Sequence, residues 1–174
     1  MVSLHLKDEE YPFQGVDHLR KVARGIVLDE LGRVAIHHVY RDDMFCKQRY
    51  LETPGGGVDE GESFEEAFLR ECSEEIGYEV EILCPLGDVH DYYNLIKREN
   101  FNRFFLARRT KAVGKHFASS GDLYIEETTY VPIDELIALY QAQDDHLVAG
   151  LVKRRELPIL LAAKEEMRKR GFSL

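Results

Sequence analysis

The chain is poor in cysteine and has no surplus of basic residues, and each shortage removes a class of explanation. Cys46, Cys72 and Cys84 are an odd number without a C-x-x-C pair. That argues against a disulfide framework and against a zinc site, and fits a reducing, cytoplasmic setting. No apolar run reaches the length of a membrane span. The opening segment, MVSLHLKDEEYPF, carries charges where a signal peptide needs its apolar stretch. Lysine and arginine total 23 against 32 aspartates and glutamates, a formal net charge of −9. Gripping a nucleic-acid backbone takes a basic surface, so neither nucleic acid nor membrane is an expected partner. Anionic small molecules remain accessible if metal cations mediate. Internal repeats, low-complexity tracts and linkers are also missing. What remains is 174 residues, 44% hydrophobic and 32% charged, the composition of one folded domain with a sizeable core.

Local patterns place the elements. Lys21 to Leu28 and Arg33 to Tyr40 read as strands around a turn at Gly32, and Gln48 to Glu52 as a short strand. Thr53-Pro54-Gly55-Gly56-Gly57 reads as a loop with special backbone angles. Ser63 to Ile76 is the strongest helix: Ser63 and Glu66 form a capping box, and Gly77 fits the position past its end. Two long strands, Glu79 to Tyr93 and Arg98 to Arg109, follow, then an exposed loop over Thr110 to Gly121 and a strand over Leu123 to Val131. Pro132 opens a helix near Ile133 to Gln143. The last thirty residues read as helical with a break at Leu157-Pro158. Strands around a central helix, with more helix at the end, predict an α/β sandwich with a mixed sheet.

The central helix carries the chemistry. At about 100° per residue, Glu75 lies about 40° from Glu71 and Glu74 about 60° to the other side. Three carboxylates in one sector repel one another unless something positive offsets them. The adjacent Arg70 cannot neutralise Glu62, Glu71, Glu74 and Glu75 together, whereas a hard cation such as Mg²⁺ or Mn²⁺ can. A solvated acidic face is the alternative, and it is the reading for Glu65 and Glu66. Phe64, Ala67, Phe68, Leu69, Cys72 and Ile76 form the apolar side that anchors the helix.

Gly56, Glu62, Arg70-Glu71, Glu74-Glu75 and Gly77 resemble the Nudix box, G-x5-E-x7-R-E-U-x-E-E-x-G-U, with Cys72, Ile76 and Tyr78 in the bulky apolar positions. Leu51 to Gly56 is similar to the family's lead-in, and Tyr130 to Leu136 to a strand-to-helix junction near its end. The resemblance runs from about Val22 to Leu139. It implies a Nudix-type α/β/α sandwich with its core at about 22–140 and an added C-terminal helical extension at about 141–174. It implies a hydrolase that cleaves a nucleoside diphosphate joined to another moiety, with Mg²⁺ or Mn²⁺ as cofactor. Glu71, Glu74 and Glu75 would be metal ligands, joined by the carbonyl of Gly55 or Gly56. Arg70 would orient Glu71, and Glu62 would brace the loop. A carboxylate from the helix, such as Glu74 or Glu75, or from a later segment would take the proton of the attacking water. Glu126, Glu127 and Asp122 are the later candidates.

The moiety joined to the nucleotide is set outside the box. Arg41, Lys47 and Arg49 are candidates for phosphate or ribose, with solvated surface as the plainer reading. Tyr40, Tyr50, Tyr92, Tyr93 and Phe104 could stack a base or pack in the sheet. A tyrosine in the area of Tyr92 and Tyr93 resembles the signal of dinucleoside polyphosphate hydrolases. His37 and His38 face opposite sides of one strand, and Cys72 reads as core. Lys164 to Arg170 reads as a solvated helix, with a homodimer contact as the alternative. Two other functions stand beside the leading one. One is a house-cleaning enzyme for non-standard nucleoside triphosphates. The other is a non-catalytic nucleotide sensor, against which the complete set of metal carboxylates argues.

Overall fold

Nearly continuous burial along Val22 to Leu28 and Val34 to Val39 marks the two central strands, covered on both faces. In the computed structural model they are β2 (His18–Leu28) and β3 (Val34–Asp42), within the element order β1 (Val2–His5), β2, β3, β4 (Lys47–Glu52), β5 (Gly55–Gly57), α1 (Phe64–Ile76), β6 (Tyr78–Tyr93), β7 (Arg98–Ala112), β8 (Ile125–Val131), α2 (Ile133–Ala142) and α3 (Leu147–Lys169). Residues 1–116, 122–172 and 174 are described, without the side chain of Asp122. The sheet is mixed, in the order β1-β6-β7-β2-β3-β4, with β5 added to β2 and β8 to β3. β1 with β6 and β2 with β7 are the parallel pairs.

The sheet splits where the site lies. β2 and β3 are matched only at Leu28 and Val34. Beyond that point they splay: β5 pairs with β2 from Val22 to Arg24, while β4 and β8 pair with β3. Helices cover both faces, as expected of a sandwich. Ala67, Phe68, Cys72 and Ile76 of α1 pack against Ala23, Val27, Ala35 and Phe105. The larger cluster joins Ile26, Leu28 and Ile36 to Leu136, Tyr140, Ile159 and Leu160 of α2 and α3. Cys72 and Phe104 are fully buried in these clusters.

Several elements differ from the local reading. Gly55–Gly57 is a short strand, not a loop, because β2 offers it backbone partners and hydrogen removes the side-chain obstacle. A Cβ on Gly55, at φ 134°, would lie 2.2 Å from the Ala23 carbonyl oxygen. β7 runs through Thr110 to Ala112 because β6 keeps pairing with it as far as Tyr78. The rest of the expected loop includes 117–121, outside the described residues. Asp122–Tyr124 form a turn of 3-10 helix before β8 begins at Ile125. Leu69 is exposed rather than part of the core face of α1. α3 passes through Pro158 without a break. An interior proline costs about 3 kcal/mol, but Arg155 and Glu156 before it and Ile159, Leu160 and Ala163 after it are all buried, so packing holds both halves in line.

Candidate active site

α1 begins and ends where its caps dictate. The Ser63 side chain accepts from the Glu66 N–H, the Glu66 side chain accepts from the Ser63 N–H, and Gly77 is left-handed at φ 76°. Between those caps the box carboxylates reach a cavity of about 460 Å³ that opens where the sheet splays. Glu71, Glu74 and Glu75 are only 5%, 7% and 5% exposed, so they are not a solvated face. The close approach of β5 explains the glycine at 56. A Cβ there would sit 2.5 Å from Glu71 Oε1.

Each carboxylate has its own support. Arg70 Nη1 donates to Glu71 Oε1 at 2.9 Å, and Arg70 Nε donates to Glu62 Oε1 at 2.8 Å. Glu62 also accepts from the Asp59 N–H, and Arg70 donates to the Gly57 carbonyl, so the pair ties β5 and its following turn to the helix. Glu75 Oε2 accepts from the Gly55 N–H at 2.8 Å and from His37 Nε2 at 3.1 Å. With Nε2 donating, His37 Nδ1 is left to accept from the Thr128 hydroxyl, 3.0 Å away. His37 is therefore a satisfied strand histidine, and its partner is a box glutamate. Among the described residues the Glu74 carboxylate makes only a 3.5 Å contact with Arg70. Burial, then the neighbouring Glu75, push the Glu71 carboxyl up to about 7 despite Arg70.

Among the described residues no three acidic, imidazole or thiol groups stand together at metal-binding spacing. Arg70, His37 and Gly55 hold one oxygen each of Glu71 and Glu75. Glu71 Oε2 and Glu75 Oε1 accept no hydrogen bond among the described residues. Hard oxygen donors, mutual repulsion and a glycine cradle fit a divalent cation such as Mg²⁺.

The same cavity is also lined by cations. Arg20, Arg24, Arg41 and Arg98 line it, with Tyr50, Tyr93 and Tyr124. Arg41 bonds Asp43 at 2.7 Å and lies 5.1 Å from the ring centres of both Phe45 and Tyr124. Arg24 pairs with Glu52 at 2.8 Å. Glu52 is shared with Arg155, which also binds Asp91 and Glu156. Burial would raise the Glu52 carboxyl, but Arg24 and Arg155 hold it below its ordinary range.

Other candidates fall elsewhere. Arg49 is on the exposed side of β4, bonded to Glu126 and over the Tyr40 ring, so neither Arg49 nor Glu126 reaches the box carboxylates. Glu127 opposes His38, one step from His37 and Thr128, and so projects from the sheet face away from Glu75. The bulge that follows, between His38 and Val39, leaves Glu126 out of the pairing. The side chain of Asp122 is outside the described residues. Tyr92 packs edge-on against Phe13, away from the cavity, while its neighbour Tyr93 lines it. Lys47 pairs with Asp42 on the surface. Arg20, Arg24, Glu52, Arg98 and Tyr124 were not anticipated. Arg24, a charge inside an apolar strand, was the readable signal.

Comparison with known proteins agrees with this geometry. The profile described as "NUDIX domain" matches residues 18–158, four residues earlier and nineteen later than the resemblance read from the sequence. An 8-oxo-dGTP diphosphatase of Haemophilus influenzae is 30% identical over 101 residues, 58% of this chain and 70% of that protein. An RNA pyrophosphohydrolase of a Wolbachia from Brugia malayi is 38% identical over 58 residues, 33% of this chain and only 36% of its own length. A NUDIX hydrolase from Nitrosomonas europaea shares the fold with a TM-score of 0.62 at 16% identity, over 90% of this chain and 94% of that one. No helix among the described residues is long and apolar enough to cross a membrane. With the profile spanning most of its length and the box in place on α1, the chain belongs to the NUDIX family of pyrophosphohydrolases.

Proposed function

We propose that this protein is a Mg²⁺-dependent hydrolase that cleaves the pyrophosphate linkage of a nucleotide derivative in the cavity between α1 and the splayed sheet. The observation that carries the reading is that Glu71, Glu74 and Glu75 line one cavity together with Arg20, Arg24, Arg41 and Arg98. Glu71, Glu74, Glu75 and the Gly56 carbonyl would hold the metal. A bound divalent ion supplies neutralisation of the pyrophosphate and an acidified water. The protein's share is orientation. His37 and the Gly55 N–H fix Glu75, and Arg70 fixes Glu71. Glu74, whose carboxylate has one long contact with Arg70 among the described residues, would accept the water's proton on an oxygen the metal does not hold. As the water oxygen bonds to phosphorus, the anhydride P–O bond breaks and the leaving phosphate takes its electron pair.

The test is Glu75→Gln, assayed for phosphate or pyrophosphate release over a nucleotide panel with and without Mg²⁺. We expect turnover in the wild type only with the ion, and a loss of at least about a hundredfold in the variant. Activity near wild type would overturn the metal assignment. Tight nucleotide binding without turnover of any nucleotide would favour the sensor.

A further inference from the structure

Of the five arginines lining the cavity, three are held by carboxylates: Arg24 by Glu52 at 2.8 Å, Arg41 by Asp43 at 2.7 Å and Arg70 by Glu62 at 2.8 Å. Arg20 and Arg98 differ. Among the described residues neither has a carboxylate within 4.0 Å, and the Nε of Arg98 is buried with no hydrogen-bond partner. They are neighbours by construction. β2 and β7 run parallel with His18 opposite Arg98 and Arg20 opposite Asn100, which makes the two arginines diagonal neighbours on one sheet face. Arg98 is further positioned with its guanidinium 4.9 Å from the Tyr93 ring centre. Burial, and then the charge of Arg20, work against the Arg98 cation. Arg20 is exposed and Arg98 half-buried at the cavity, and two like charges side by side there, without a carboxylate of their own, leave room for an anion from outside the fold.

Their place relative to the box gives that anion an order. Gly56 lies against Glu71, where a Cβ would meet the carboxylate at 2.5 Å. The next residue, Gly57, lies against Arg20, where a Cβ would be 3.2 Å from Nη2. Arg20 thus follows immediately on the site of the scissile pyrophosphate, and Arg98 lies beyond it. We infer that Arg20 and Arg98 form a subsite for a further phosphate, so that the substrate carries a third consecutive anionic group beside the two engaged at the box. This deepens the proposed activity and rests on it for the position of the scissile bond. Nucleoside triphosphates and other polyphosphate-bearing nucleotides satisfy it. Nucleoside diphosphates joined to a neutral sugar do not. Guanidinium forks suit such an oxyanion, since each can give two charge-assisted hydrogen bonds.

The test separates binding from turnover. Nitrogen-bridged, non-hydrolysable analogues of tripolyphosphate and pyrophosphate are titrated into wild type, Arg20→Gln, Arg98→Gln and the double variant by calorimetry with Mg²⁺. In parallel, KM is measured for ATP against ADP-glucose. We expect the wild type to bind the triphosphate analogue about tenfold more tightly than the diphosphate. Either single substitution should erase most of that gap while leaving the diphosphate affinity within about threefold, and Arg98→Lys should restore part of it. Equal wild-type affinity for the two analogues, or a gap that survives in the double variant with its fold intact by circular dichroism, overturns the inference. A clear gap with no turnover of any nucleotide would refute the proposed activity and leave the subsite standing. Mg²⁺-dependent turnover with no gap would do the reverse.

Discussion

Replacing Glu71 with glutamine should stabilise the metal-free protein while removing its response to metal. The carboxyl of Glu71 is pushed from 4.5 up to about 7 by burial and by Glu75. A folded-state value above the unfolded one means that the native protein binds the proton more readily. That group therefore favours folding below pH 4.5, and its contribution fades as pH rises to about 7, beyond which the charged form is carried at a penalty. At about 1.36 kcal/mol per unit the full shift spans about 3 kcal/mol. Water in the open cavity and the loss of the Arg70 pair reduce the gain in the variant to about 1–2 kcal/mol. For a chain of this size about 1 kcal/mol moves Tm by about 2–4 °C. Thermal melts in EDTA at pH 7.5 should place Glu71→Gln about 3–6 °C above wild type, with the difference vanishing near pH 4.5. Adding Mg²⁺ should raise the wild type and move the variant much less. A variant that melts at or below the wild type in EDTA at pH 7.5 would refute the idea that these carboxylates crowd one another in the absence of a cation.

Two further outcomes concern the frame around the site. Asp29 is buried in the β2–β3 turn and accepts from the Leu31 and Arg33 N–H groups and from Arg33 Nε at 2.8–2.9 Å. Burial would raise its carboxyl, but these bonds hold it below its ordinary 3.8. Its stabilisation is present above pH 3.8 and is lost as pH falls through the lowered value, so Asp29→Asn should cost about 1–3 kcal/mol in urea unfolding at pH 7 and progressively less toward pH 2. A difference that does not shrink in acid would contradict this assignment. Arg155→Met leaves Asp91 and Glu156, both fully buried, without their shared cation, which should cost about 3–5 kcal/mol by urea midpoint. An unchanged midpoint would show that the network is not a support for α3.

What the sequence discloses and what it hides divides along the range of the interactions. The caps of α1, the facing of Glu71, Glu74 and Glu75, and the Arg70–Glu62 tie all depend on spacings of a few residues, and a single helix expresses them. The three glycines read as a loop because their local freedom is all a sequence displays. Their pairing with β2 is decided by Val22 to Arg24, about thirty residues away. Glu126 and Glu127 looked suited to catalysis because strand residues near a site attract that reading, yet the register of β8 on β3 puts Thr128, not either glutamate, beside His37 and Glu75. Pro158 read as a break because its penalty is local, while the burial that overrides it is spread over both flanks. The arginine pair is the extreme case. Arg20 and Arg98 are each unremarkable in the chain and become neighbours only through the parallel register of β2 and β7. The residues that choose a substrate are thus assembled by topology, whereas those of the box are carried by one helix and the short strand and turn before it. A short motif can therefore reveal the reaction long before any sequence pattern reveals the molecule it acts on.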